Sequence, residues 1–299
     1  FLESIIVLIG TATVIFFLVR ITGDPVTLML PPNATAADVQ QLRRVLGLDA
    51  PLYVQYLRFT TDLFRGHLGV SIRFTESCAK LILERLPATL ELAGAALLFA
   101  MAIAFPVGIW SAVKPGSWVD NLGSIFTLLG QSTPVFWLGI MFIYEFSVKR
   151  QWLPSFGRQP GDIRYLVMPA VALGMYSAAL TTRMLRSTLL SVLKEDYVRT
   201  ARAKGLTGRV VLLKHVLRNA LIPVITVIGL QMAGLLAGSV VTETVFAWPG
   251  VGRLVINAVF ARDFPLVQAC IIVISFFFVF VNLIVDILYA LIDPRIRYQ

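Results

Sequence analysis

Residues 87–112 read PATLELAGAALLFAMAIAFPVGIWSA. Beyond Glu91 the run carries no ionisable side chain as far as Ala112. Its apolar residues are continuous. A barrel strand would instead alternate apolar and polar at every second position. About 20 mostly apolar residues are enough to cross the hydrocarbon layer as a helix. The stretch therefore predicts a membrane helix and sets the fold class: an all-α integral membrane protein.

Five further runs of this kind lie at 3–20, 121–146, 165–188, 219–242 and 268–291, giving six expected transmembrane helices. Composition agrees. The chain is 57% hydrophobic and 14% charged, against roughly a quarter charged in soluble domains. The sequence opens at Phe1 and is read as trimmed. Residues 4–19 imitate the apolar core of a signal peptide, but no basic stretch precedes them and no A-x-A-like site follows, so a first span is the better reading. Small residues at 93–96 and at Gly234, Ala237 and Gly238 permit close helix contact in lipid. Pro106, Pro134, Pro169 and Pro223 are expected to kink or interrupt helices, which membrane helices tolerate where neighbours re-satisfy the backbone.

The net charge of +9 could suggest nucleic acid in a soluble protein. Here basic loops on the cytoplasmic side explain it better, and no nucleic-acid partner is expected. Residues 183–218 hold Arg183, Arg186, Lys194, Arg199, Arg202, Lys204, Arg209, Lys214 and Arg218 against Glu195 and Asp196. That loop should be cytoplasmic, and with six spans both termini are then cytoplasmic, in agreement with Arg295 and Arg297. The layout is a first transmembrane helix at 1–20 and an outer loop with short helices at 21–86. A five-helix core follows at 87–291, including a cytoplasmic loop at 189–218, and then a tail at 292–299. Lys149 and Arg150 in the outer loop 147–164 run against the charge rule. The outer loop 243–267 is too apolar for a plain surface loop and is expected to dip back over the bundle.

Enzyme signatures are absent: there is no H-E-x-x-H, G-x-S-x-G or G-x-x-x-x-G-K-[ST]. His67 and His215 have no partner at metal-ligand spacing. Cys270 falls inside an apolar span and Cys78 outside one, so no disulfide is expected. Glu91, Glu145 and Asp286 sit near span ends, where a carboxylate is cheaper than at mid-membrane. They read as interfacial groups rather than ion-coupling sites. With no ATP site in the chain, energy for uphill movement must come from elsewhere.

One polar stretch breaks the pattern: 195–206, EDYVRTARAKGL. On a helical wheel Tyr197, Val198, Ala201 and Gly205 share a narrow arc. Arg199, Arg202 and Glu195 flank it on one side and Lys204 on the other. Gly205 can end the helix in the left-handed conformation. A small-faced, basic-flanked helix suits docking into a groove of a soluble partner. The plainer alternative is a solvated basic loop.

YVRTARAKGL followed by HVLRNALIP resembles the EAA-type cytoplasmic loop of bacterial ATP-binding-cassette importer permeases, in the form used by the dipeptide, oligopeptide and nickel subfamily. The general pattern places Glu-Ala-Ala where this chain has Arg199, Thr200 and Ala201. Further blocks carry the resemblance along the chain. They are GDP at 23–25, LGLDAPLYVQY at 46–56, GHLGVS at 66–71, PATLEL at 87–92, ETVFAWPGVGR at 243–253 and DPRIR at 293–297.

The resemblance implies a type I importer permease in the bacterial inner membrane, the first of two related six-helix subunits around one path. Two ATPase subunits would bind ATP and magnesium; this chain would bind no cofactor. A periplasmic or lipid-anchored binding protein would deliver the solute. It further implies that Tyr197, Arg199, Ala201, Lys204, Gly205 and Leu206 dock on the ATPase. Phe246, Trp248, Pro249 and Gly250 are candidates for an outer gate or binding-protein contact, with a membrane-interface aromatic anchor as the alternative. Gln131, Ser132 and Gln231 are candidates for the path lining. Peptide is the first choice of substrate. A nickel chelate is the second, because the compact loop with QWLPSFGR at 151–158 is similar to nickel-type chains. A carrier or channel acting alone, and an assembly scaffold, are the rival classes.

Overall fold

The computed structural model describes residues 2–21, 26, 35–45 and 48–292. GDP at 23–25, the start of the block at 46–56, and the tail with DPRIR lie outside these residues, as does the side chain of Asp286. Among the described residues the chain is helical, and Val70 and Ser77 form an isolated antiparallel bridge. The helices are α1 (Leu2–Ile21), α2 (Ala36–Val45), α3 (Leu52–Phe64), α4 (Cys78–Val113), α5 (Trp118–Ser132), α6 (Val135–Phe142), α7 (Arg164–Val192), α8 (Asp196–Ala203), α9 (Arg218–Val245), α10 (Val251–Phe260) and α11 (Phe264–Ile292). Wide π-type turns continue α6 through Ile143–Lys149 and precede α9 through Val211–Leu217.

Four stretches are long and apolar enough to cross a membrane: Cys78–Val113, Arg164–Val192, Gly208–Leu236 and Phe264–Val285. A fifth candidate, Trp118–Ser132 with Val135–Lys149, is bent by 105°. In α1 the apolar stretch is Ile5–Val19, shorter than these. The helix around the run at 87–112 begins well before Pro87. Its 36 residues reach ~54 Å at about 1.5 Å each, more than the ~30 Å hydrocarbon layer needs.

Three of the four prolines leave their helices unbroken. Pro106, Pro169 and Pro223 lie within continuous helices. Only the segment at Pro134 breaks its helix. Thr133 before it is extended (φ −87°, ψ 123°), the region that a following proline favours. Pro134 is extended too and caps α6 without a side-chain hydrogen bond.

The chain divides into two compact units. The first comprises residues 1–88 and 249–279, so the stretch after Trp248 clusters with the N-terminal region. In it α1 packs on α3: buried Phe16 meets Tyr56 edge-on with ring centroids 5.2 Å apart, and Thr13 shares a 2.7 Å hydrogen bond with the Tyr56 hydroxyl. A second cluster joins Cys78, Leu81 and Ile82 of α4 to Val251, Leu254 and Ala258 of α10 and Leu266 and Cys270 of α11. Both cysteines are therefore buried in one core, and both are free thiols. Asp263 is buried just before α11. Its carboxylate accepts from the Ser71 hydroxyl (2.5 Å), from the Ile72 and Arg73 amides (3.2 Å each) and from the Leu266 amide (3.3 Å). GHLGVS is thereby tied to a residue far along the chain.

The second unit comprises residues 89–248 and 280–299, with α7 at its centre packed by α5, α6 and α9. α7 and α4 approach backbone to backbone. A Cβ on Gly174 would lie 2.5 Å from the Ala96 carbonyl oxygen. Ala96 thus sits at a close approach, whereas a Cβ on Gly94 of the same run would meet nothing within 4 Å. A Cβ on Gly234 would meet nothing within 4 Å, so that glycine is no such contact.

Candidate functional site

The stretch 195–206 forms α8 over Asp196–Ala203. It ends as its glycine predicts. Gly205 has φ +79°, its amide donates to the Arg202 carbonyl (2.9 Å), and the Leu206 amide donates to the Ala201 carbonyl (3.4 Å). This is the paired closure of a left-handed helix end.

The arc expected to meet a partner is split in two. Val198 (0% exposed) and Ala201 (6%) face inward. They join Ala112 of α4, Leu185 and Leu189 of α7, and Val211, Val216, Ala220 and Val224. Ala201 is therefore an anchor to the chain's own core and not an outward docking contact. A wheel identifies an apolar face but not whether that face is covered from within or from outside. Tyr197, Arg199, Arg202, Lys204, Gly205 and Leu206 remain exposed. Tyr197 accepts a 3.1 Å hydrogen bond from the Asn219 amide at its hydroxyl. Arg199 lies 3.7 Å from Asp196 with both side chains largely exposed, a pairing of small energetic weight.

A charged pair lies close in sequence to this anchor. Arg186 donates from Nε to Asp120 Oδ1 (2.5 Å) and from Nη2 to Oδ2 (2.9 Å). Asp120 is buried and also accepts the Gly116 amide (2.9 Å). Such a two-pronged pair adds direction as well as energy. It ties the start of α5 to the part of α7 that carries Leu185 and Leu189, on which α8 rests. From sequence Arg186 counted only as one more basic loop residue. The available signal was Asp120, an acid opening an apolar run three residues after Ser117, which caps α5.

The loop ETVFAWPGVGR turns its aromatic residues inward. Phe246 and Trp248 are 2% and 1% exposed, so they are not interfacial anchors, and neither side chain offers a surface to a binding protein. Phe246 packs with Met168 and Ala172 of α7 and with Phe142, Phe146 and Leu153, and its carbonyl accepts the Gly157 amide (2.9 Å). Arg158 sits 5.9 Å from the Trp248 ring centroid and donates to Glu91 Oε2 (2.6 Å). Glu243 is fully buried and accepts from Thr89 (2.8 Å). PATLEL, QWLPSFGR and ETVFAW therefore meet in one cluster. Ala247 holds the turn at φ +51°, in the paired closure seen after α8, with its amide on Thr244 and the Trp248 amide on Glu243. Pro249 is half-buried and Gly250 buried, the latter preceding α10.

Gln131 and Ser132 stand at the 105° break, Gln131 half-buried and Ser132 exposed. Backbone polar groups released by a broken span need protein or water partners. Gln231 is elsewhere, between α9 and α7. It is 9% exposed, donates to Thr181 Oγ1 (2.9 Å), and leaves its Oε1 buried without a hydrogen-bond partner. The structure thus places two of the three lining candidates together and the third within the packing of α7 on α9. Lys149 and Arg150 both pair with Glu145 (3.3 and 2.8 Å).

Residues 104–298 match the family described as binding-protein-dependent transport system inner membrane component, and residues 1–93 match its N-terminal companion. The chain is 41% identical to the dipeptide transport system permease protein DppB of Alkalihalophilus pseudofirmus, with 98% of this chain and 96% of that one covered. It is 43% identical to the probable D,D-dipeptide transport system permease protein DdpB of Escherichia coli (98% and 94% covered). It is also 41% identical to the glutathione transport system permease protein GsiC of Salmonella paratyphi A (98% and 95%). An inward-facing structure of the MetNI methionine ABC transporter is similar in fold, with TM-score 0.59 and 19% identity over 71% of this chain and 96% of that one. With the helical spans and the anchored basic loop, these matches place the chain in the family of inner membrane components of binding-protein-dependent transport systems, the permease subunits of ABC importers.

Proposed function

We propose that this chain is one of two permease subunits of an importer for small peptides, with α8 and the turn after it docking on a separate ATPase subunit. The observation that carries the reading is the construction of α8. One face is bolted to the chain's own core through Val198 and Ala201, while Tyr197, Arg199, Arg202, Lys204 and Leu206 stay exposed. A helix that moves with its transmembrane neighbours and offers a basic edge can pass a partner's motion into the bundle. On this reading the basic loop and both termini are cytoplasmic. ATP and magnesium belong to two ATPase subunits. A second, homologous permease completes the path, and a binding protein delivers the solute. Nucleotide then biases a two-state bundle.

Peptide relatives support peptide over nickel chelate as cargo. One comparison widens the class to a tripeptide. The alignment with the glutathione permease runs over 292 positions for 98% of this chain, whereas that with the first-named dipeptide relative needs 319 positions. The chain is thus nearly free of insertions and deletions against a tripeptide permease. We rank dipeptides and γ-linked tripeptides together as the substrate class.

The test is reconstitution of the complete complex in vesicles with its binding protein. Dipeptides, glutathione and a nickel chelate are offered in turn, and ATP hydrolysis and solute uptake are measured. The reading expects stimulation by a peptide. Stimulation by the nickel chelate alone would overturn the substrate. Uptake by this chain without ATPase subunits would make it a stand-alone carrier.

A further inference from the structure

A groove of about 330 Å³ runs along the last turns of α4 and is lined by Pro106, Ile109, Trp110, Val113, Lys114 and Leu212. The Lys114 ammonium lies 5.3 Å from the centroid of the Trp110 ring. Among the described residues no carboxylate lies within ion-pair distance of it. Pro106, Trp110 and Lys114 follow one another at intervals of four, so they rise along a single helix face. The groove wall is therefore apolar, lined in part by the Lys114 stem, and the ammonium of Lys114 stands beside it near the Trp110 ring. Trp110 and Trp118 are 52% and 73% exposed, and exposed tryptophans at a span's end mark the headgroup level of a bilayer. Arg209 and Lys214, both exposed and within three residues of Leu212, add positive charge to the same element.

We infer that this groove holds an anionic phospholipid, one acyl chain along Pro106, Ile109 and Leu212 and its phosphate at Lys114. The charge argument selects this occupant. A protein helix would need a polar or acidic match at Lys114 and an apolar stripe beside it. A lipid supplies a phosphate and a hydrocarbon chain in that order along one axis. A neutral lipid would leave Lys114 without its counter-charge, and a basic side chain near an anionic surface is worth about 1 kcal/mol, or about fivefold in occupancy.

The assembled permease–ATPase complex is purified in mild detergent and incubated with phosphatidylglycerol or phosphatidylcholine. Retained lipid is then counted by native mass spectrometry. The wild type is expected to keep phosphatidylglycerol about fivefold over phosphatidylcholine. Lys114→Glu should abolish that preference and Lys114→Arg should keep it. Leu212→Trp, which fills the groove, should reduce retention of both lipids. Elution of each variant as intact complex separates loss of lipid from loss of fold. Equal retention of the two lipids by the wild type would overturn the inference. So would phosphatidylglycerol retention undiminished in both Lys114→Glu and Leu212→Trp, or a photo-crosslinker at Ile109 that captures a protein subunit instead of lipid.

Discussion

Arg186 grips Asp120 with two hydrogen bonds of 2.5 and 2.9 Å across 66 residues of sequence. The carboxylate is nearly inaccessible, while the guanidinium keeps about a third of its surface. Removing the arginine strands a buried negative charge, and removing the acid frees a cation that can still reach water. Arg186→Met should therefore destabilise the complex more than Asp120→Asn, by about 2 against about 1 kcal/mol, below the range for fully buried pairs because Arg186 is partly solvated. Joint replacement, Arg186→Met with Asp120→Asn, should cost less than the sum of the two single losses. Thermal unfolding of the purified protein reads all three; additive losses in the double variant would refute the pairing argument.

The two faces of α8 predict opposite phenotypes. Val198→Ala opens a cavity in the anchor and should cost about 2 kcal/mol of stability. Ala201→Leu overpacks it and should cost about 1 to 3 kcal/mol. Arg202→Ala, on the exposed edge, should leave stability within about 0.5 kcal/mol yet weaken co-purification of the ATPase subunit. Equal unfolding temperatures for Val198→Ala and Arg202→Ala would remove the distinction.

Gly205 is held by its backbone and not by crowding, since nothing lies within 4 Å of where a side chain would begin. The effect of replacement should track tolerance of a left-handed backbone. Asn should be mild, Ala should cost about 1 kcal/mol and a β-branched Ile more. Peptide-stimulated ATP hydrolysis should fall in that order while membrane insertion is unchanged. An order that followed side-chain volume instead, with Asn worse than Ala, would assign the position to direct contact.

Asp263 should be the main support of the 71–73 turn. Asp263→Asn replaces charge-assisted bonds with neutral ones and leaves a competing donor. About 2 kcal/mol should be lost, and amide exchange at Ile72 and Arg73 should quicken. Ser71→Ala should give a smaller loss, because it leaves the Ile72, Arg73 and Leu266 donors in place. Unchanged exchange at both amides in Asp263→Asn would contradict this.

What sequence alone made legible was largely what local chemistry decides. Continuous apolar runs located the long helices because lipid leaves the backbone few alternatives. Gly205 announced the end of α8, and Ala96 in the small-residue run marks a close approach. Long-range partners were invisible. Nothing near Cys78 says that it shares a core with Cys270, and nothing near Ser71 points to Asp263. Pro134 breaks its helix while Pro106, Pro169 and Pro223 do not, which depends on neighbours more than on proline itself. Arc patterns exposed the apolar face of α8, but ownership of that face is a tertiary fact. The burial of Trp248, with Arg158 over its ring, likewise depends on residues far away in sequence.

The turn at Ala247 shares its backbone closure with the one at Gly205, but alanine is ill suited to φ +51°. A left-handed conformation costs such a residue about 1 kcal/mol or more. That strain is stored in the turn between the buried rings of Phe246 and Trp248. The turn is thus strained from within, and Ala247→Gly should relax it by about 1 kcal/mol, readable as a higher unfolding temperature of the purified complex.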